Sequence, residues 1–216
     1  MNRAAIDAFF CRLSEQNPEP KTELNAVNPY TLLVAVVLSA QMTDSGVNKA
    51  TEKLFQKVQT PQAMLALGEE ALKEHIKSVN LCNTKARHII ALSAQLIDRF
   101  GGEIPRDREA LESLPGVGRK TANVVMNVCF DAPVMPVDTH VFRVANRTGM
   151  ATGQTPQEVE EKLLQVIPQK WMRHAHHWLI LHGRYVCKAC APACPTCLVR
   201  DLCVFYVKHP KTEDAS

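Results

Sequence analysis

Three helix starts in this chain share one two-residue signature. Asn28-Pro29, Thr60-Pro61 and Thr155-Pro156 each place a side-chain acceptor in front of a proline. The acceptor takes a backbone N–H that the first helical turn leaves without a partner, and proline has no N–H to lose there. Glu158 turns the third start into a capping box. The rest of the chain agrees with this pattern. Residues 2–16 read as an amphipathic helix closed by Asn17-Pro18-Glu19-Pro20. After Pro29 comes an apolar helix with Leu32, Leu33, Val36 and Val37, stopping near Gln41 to Asp44. Thr43 or Asp44 caps the next, with Val47, Ala50, Thr51, Leu54 and Phe55 on one face. Asn83 or Thr84 opens a helix running to about Phe100, ended by Gly101-Gly102. Further helices are expected over 107–114, 119–130 and 172–186. No alternation is long enough to need a sheet, and no short-period repeat occurs. An all-α fold is therefore expected, with a seam at the extended piece Asp131 to Pro136.

At 216 residues, the chain can build one large domain or two small ones. A 46% hydrophobic fraction supplies a core, and 22% charged residues argue against disorder. The formal net charge of +3 means that any nucleic-acid face must come from local placement of Lys, Arg and backbone amides. The N-terminus has no signal-peptide core, and the apolar run Tyr30 to Ala40 is too short to cross a bilayer. A cytoplasmic, nucleoid-associated protein is expected, with no membrane partner.

Without a secretory signal, clustered thiols read as metal ligands sooner than as disulfides. Cys187-x6-Cys194-x2-Cys197-x5-Cys203 offers four thiolates on one short loop, which Pro192 and Pro195 keep from being helical. Soft thiolates select zinc or iron–sulfur centres. The irregular spacing favours a four-iron centre, with zinc on Cys187, Cys190, Cys194 and Cys197 as the alternative. Cys11, Cys82 and Cys129 are scattered and read as buried or inert thiols.

A second site is written in Leu114-Pro-Gly-Val-Gly-Arg-Lys120. Leu111, Leu114, Val117 and Ala122 can pack two short helices around a tight turn. Gly116 and Gly118 expose backbone amides at the start of the second helix, where one DNA phosphate can bind. Such a contact gives affinity and register but little sequence preference. The spacing is not that of a Walker A loop. Lys120 suits either a phosphate or a nucleophile. A nucleophilic amine must be neutral, and deprotonating a reference lysine at about pH 7.4 costs roughly 4 kcal/mol. The helix N-terminus and desolvation both act in that direction. Asp138, in Val137-Asp-Thr-His-Val141, reads as an N-cap, as a carboxylate for proton transfer, or as both. His140 reads first as structural.

Together these residues resemble the endonuclease III family of DNA glycosylases over nearly the whole chain. The likeness is carried by Leu114 to Ala122, by Val137-Asp-Thr-His-Val-Phe-Arg143 and by the Cys187/Cys194/Cys197/Cys203 spacing. It implies a helix-hairpin-helix glycosylase fold, with a six-helix domain over 22–132, a cluster domain formed by 1–21 plus 133–216, and a cleft between them. It implies a [4Fe-4S] cluster on Cys187, Cys194, Cys197 and Cys203, with Cys190 as an extra thiol. Lys120 would attack C1′ of a flipped nucleotide and expel an oxidised pyrimidine, with Asp138 assisting, and β-elimination would then cut the strand. Gln41 would fill the space of the extruded base and Leu81 would wedge into the duplex. Gly116, Gly118, Arg119 and His140 would complete the DNA contacts. Met42 stands where the family often has a small residue. The implied partner is damaged double-stranded DNA, and the implied state is a monomer. Two rivals remain at this level: a water-using glycosylase without lyase activity, and a non-catalytic DNA-binding module.

Overall fold

The computed structural model describes residues 1–209. Among them the regular structure is helical, with no strand. The helices are α1 (Arg3–Gln16), α2 (Pro29–Leu38), α3 (Asp44–Phe55), α4 (Pro61–Leu67), α5 (Glu69–His75), α6 (Cys82–Phe100), α7 (Arg108–Glu112), α8 (Arg119–Phe130), α9 (Thr139–Thr148), α10 (Pro156–Val166), α11 (Gln169–Tyr185) and α12 (Val204–Lys208). None is long and apolar enough to cross a membrane. The described residues form two compact units: Thr22–Asp131, and Met1–Lys21 together with 132–209.

The 22–131 unit is organised around α2. Tyr30 to Leu38 are all buried. A helix with no polar face must be wrapped on every side, and α3, α6 and α8 pack against it. Its start is the expected cap: Asn28 Oδ1 accepts from the Thr31 amide at 2.9 Å, and the Thr31 hydroxyl side accepts in return from the Asn28 amide at 3.1 Å. The single phenol on this helix is satisfied inside the core. Tyr30 lies 2.6 Å from Ser93 Oγ, which itself donates to the Ile89 carbonyl at 2.6 Å. The Tyr30 hydroxyl is therefore the donor of the pair.

The terminal unit buries α1 against α11. Ile6, Phe9, Phe10 and Leu13 face inward, and Phe10, Trp171 and Trp178 form an aromatic cluster with ring centres 5.8–6.3 Å apart. The indole N–H groups find acceptors at the cluster's rim: Trp171 donates to Asp7 Oδ1 at 2.7 Å and Trp178 to the Asn17 carbonyl at 2.8 Å. Between α9 and α11 the backbones approach closely. A Cβ at Gly183 would stand 2.8 Å from His140 Cβ and 3.1 Å from its carbonyl oxygen.

Several elements depart from the sequence reading. The helix expected to start at Asn83 or Thr84 starts at Cys82, with Leu81 as an N-cap in the left-handed region and no side-chain cap. The helix expected over 107–114 is confined to α7, capped by Asp107. The final long helix begins earlier than residue 172, at Gln169. α5 and α12 are too short to show a period in sequence.

Two outcomes follow from this packing. Gly183→Ala should lower unfolding stability by about 1–3 kcal/mol, because the methyl group meets backbone as well as side chain; chemical denaturation measures it. His177 is 7% exposed, and its Nδ1 has no hydrogen-bond partner among the described residues. Burial, aided by His174, pushes its pKa down to about 4. Unfolded, the same imidazole protonates below about pH 6.5. The unfolded chain then binds a proton that the folded chain refuses, so stability should fall between about pH 6.5 and pH 4. The fall across that range should be smaller in His177→Phe, the remainder being kept by buried His182, whose pKa is also pushed down to about 4.

Candidate functional site

α7 and α8 are joined by a six-residue turn, 113–118, whose apolar members point inward. Leu111, Leu114 and Val117 are buried, and the Val117 amide donates to the Leu114 carbonyl at 3.1 Å. Gly116 sits at φ +77°, where a Cβ would lie 2.9 Å from His88 Cβ and Nδ1. Conformation and space both demand glycine there. Gly118 is different. Its φ of −97° suits any residue, and a Cβ would meet nothing within 4 Å. Gly118 is the N-cap of α8 and supplies no side-chain cap. The first bond of the helix is Ala122 N–H to the Gly118 carbonyl at 2.9 Å. The amides of Arg119, Lys120 and Thr121 precede the helical ladder, and the open Gly118 leaves them accessible to an anion. Lys120 is the second residue of α8 and is exposed; Arg119 beside it is half-buried.

Asp138 caps α9. Its Oδ1 accepts from the His140 amide at 2.9 Å and from the Val141 amide at 2.8 Å. Both bonds fall on one oxygen, which fixes the carboxylate and leaves Oδ2 for another donor. The side chain is half-buried. His140 belongs to a clasp behind this cap. Its Nδ1 lies 3.2 Å from Arg143 Nη2, so that nitrogen is the acceptor. Arg143 also donates to the Gly183 carbonyl at 2.7 Å and to the Cys187 carbonyl at 2.9 Å.

Gln41 and Leu81 are both exposed, and both hold non-glycine left-handed backbone, at φ 57° and 58°. Leu81 is 61% exposed. The two segments are bonded together. Asn80 Nδ2 donates to the Gln41 carbonyl at 2.8 Å. Lys85 Nζ donates to the carbonyls of Leu38 at 2.8 Å and Ala40 at 2.6 Å. Met42 is half-buried and lies over α3, where a Cβ on Gly46 would come within 2.4 Å of its Cε. Lys85 and Asn80 were not singled out in sequence. The signal for Lys85 was present: it falls on the buried stripe of α6 with Ala86, Ile89, Leu92 and Leu96.

The cysteine loop corrects an expectation. Cys187, Cys194, Cys197 and Cys203 line one pocket with His182. Yet among the described residues no group of three or more His, Cys, Asp or Glu side chains is disposed to hold a metal ion. The expected [4Fe-4S] cluster, and zinc as its alternative, are overturned on that finding. The thiols have other neighbours. Cys187 Sγ accepts from Arg147 at 3.6 Å, Cys203 Sγ donates to the Arg147 carbonyl at 3.6 Å, and Cys197 Sγ lies 3.8 Å from His182 Nε2. Burial pushes the Cys197 thiol up to about 11. Cys190 is exposed. The loop is held by arginine instead: Arg147 donates to the carbonyls of Lys188 at 2.6 Å and Ala189 at 2.9 Å, and its guanidinium lies 4.9 Å from the Phe205 ring centre.

Residues 34–169 match the family described as HhH-GPD superfamily base excision DNA repair protein. The chain is 56% identical over 206 residues to the Endonuclease III of Rickettsia conorii, covering 95% of this chain and 98% of that one. Among solved structures it resembles a trapped Endonuclease III–DNA covalent intermediate in an estranged-adenine complex, with a TM-score of 0.90 and 44% identity over 98% of this chain and 100% of that one. A non-covalent Endonuclease III–DNA complex matches with the same TM-score and identity, over 96% and 98%.

The two glycines should separate under substitution. Gly116→Ala should lower unfolding stability by about 1–3 kcal/mol through its backbone region and the His88 clash. Gly118→Ala should leave stability within about 0.5 kcal/mol. It should instead weaken duplex binding measured by fluorescence anisotropy, because its methyl group stands before the open amides.

Proposed function

The chain belongs to the endonuclease III family of HhH-GPD base excision DNA repair proteins, and on that premise we propose that it is a bifunctional DNA glycosylase and AP lyase that removes oxidised pyrimidines from duplex DNA. The observation that carries this reading is the likeness, over 98% of the chain, to an Endonuclease III trapped covalently on DNA. A covalent intermediate needs a nucleophile. In this chain an exposed amine, Lys120, stands in the first turn of the hairpin's second helix.

The chemistry assigned to these residues is as follows. The Lys120 Nζ lone pair forms a bond to C1′ as the glycosidic bond breaks, and the base leaves with a proton. Opening of the sugar gives an imine, which acidifies the C2′ proton. Loss of that proton expels the 3′ phosphate by β-elimination, and water then releases the amine. The imine is an electron sink that direct water attack would not leave. The Asp138 carboxylate assists the proton transfers and stabilises positive charge on the sugar. Its capping bonds give it a fixed orientation for that work. The amides before the α8 ladder, with Arg119, bind a phosphate. Both exposed on strained backbone, Gln41 fills the space of the extruded base and Leu81 wedges into the duplex. His140 contributes to the DNA face through the clasp it forms with Arg143. Chromosomal DNA is the substrate, so the enzyme works at the nucleoid.

Neither rival accounts for a covalent intermediate like the one in the similar structure. A water-using glycosylase needs no amine, and a binding module needs no nucleophile. Lys120→Gln should abolish strand scission and the borohydride-trapped adduct on abasic duplex, while duplex affinity stays within about threefold. Scission that survives the substitution would remove lysine from the mechanism. Asp138→Asn retains an Oδ1 acceptor, so stability should hold within about 0.5 kcal/mol while excision falls by roughly 100-fold or more. Asp138→Ala should in addition cost about 0.5–2 kcal/mol of stability, read by denaturation.

A further inference from the structure

Lys85 is buried, 5% exposed, in the first turns of α6, and no step above uses it. A buried ammonium is ordinarily matched by a carboxylate. This one is bonded to two backbone carbonyls, those of Leu38 and Ala40, where α2 ends. The position is electrostatically uneven. A cation is disfavoured at the start of its own helix and favoured at the end of another. The second effect is coupled to the bonds themselves, one to the carbonyl of buried Leu38 and one to that of exposed Ala40.

The connections around Lys85 are specific. Its backbone amide donates to the Leu81 carbonyl at 3.0 Å. Its side chain holds the carbonyl of Ala40, the residue before Gln41. Asn80, the residue before Leu81, donates to the Gln41 carbonyl. Gln41 and Leu81 are both left-handed, a conformation that costs a non-glycine residue energy and persists only where surroundings impose it. One residue thus grips both strained segments from beneath, and one exposed amide closes the loop from above. Without the ammonium, the last carbonyls of α2 lose their donor and the turn that aims Gln41 relaxes.

We propose that Lys85 is a positioning residue for base extrusion: it locks Gln41 and Leu81 into one rigid two-pronged wedge, with Asn80 as the outer latch. This rests on the wedge roles given to Gln41 and Leu81 above.

The test uses the full chain and two substrates. One is duplex DNA carrying thymine glycol, which must be unstacked. The other is a single-stranded oligonucleotide with an abasic site, which needs no wedge. Leu81→Ala reads the underlying premise: if it acts equally on both substrates, the wedge reading itself fails. With that premise met, Lys85→Met, of similar length and without donors, should lower kcat/KM on the damaged duplex by about tenfold or more while single-strand cleavage stays within about twofold. A merely structural lysine would lower both together. An equal fall on both substrates, or an unchanged duplex rate, overturns the proposal. Should Lys85→Met fail to fold, Asn80→Ala, at an exposed position, carries the test. A selective loss of about threefold or more on the damaged duplex supports the latch, and an unchanged duplex rate overturns it.

Discussion

The end of a fully buried helix is the constraint on which the 22–131 unit turns. α2 is apolar on every side, so it can lie only at the centre of its unit. Its start is satisfied locally by Asn28 and Thr31. Its far end runs out from buried Leu38 to exposed Ala40, and the last carbonyls there have no intrahelical partner. A lysine from another helix supplies the donors. The exposed pair Gln41 and Leu81 lies immediately beyond that junction. A demand of core packing is therefore met by a bond that also orders the segments assigned to DNA.

The terminal unit meets a comparable demand with arginine. The segment after α11 has little apolar content, and Pro192 and Pro195 keep it irregular. Irregular backbone must place its carbonyls somewhere. Arg143 and Arg147, one turn apart on α9, take those of Gly183, Cys187, Lys188 and Ala189. A guanidinium suits this work because its planar fork makes several bonds at fixed angles. Asp138 begins the same helix. The rigidity that the arginines give α9 is thus shared with the carboxylate at its start.

The sequence made the local grammar legible. Caps at Asn28, Thr43, Thr60, Asp138 and Thr155 all occur where an acceptor side chain precedes an apolar period. The likeness of Leu114 to Ala122 and of Val137 to Arg143 to one family was also readable, and the comparisons uphold it. The misreadings share a cause. Asn83 and Thr84 read as the start of α6 because side chains that cap are visible in sequence, whereas the helix starts one residue earlier, after a left-handed Leu81 with no side-chain cap. The cysteine spacing suggested a metal centre, but spacing carries no information on how four sulfurs point, and these bond to Arg147 and lie beside His182.

What the sequence determined alone was therefore everything set by contacts three or four residues apart: which stretches are helical, where most of them begin, and which turn needs Gly116. Those choices depend on local backbone sterics and on donors within one turn. What only the tertiary structure decided was which polar groups meet at long range. Lys85 under the end of α2, Arg147 on the cysteine loop, and the glycine at 183 that lets α9 approach α11 are fixed by burial. A buried polar group must find a partner wherever the packed chain happens to offer one.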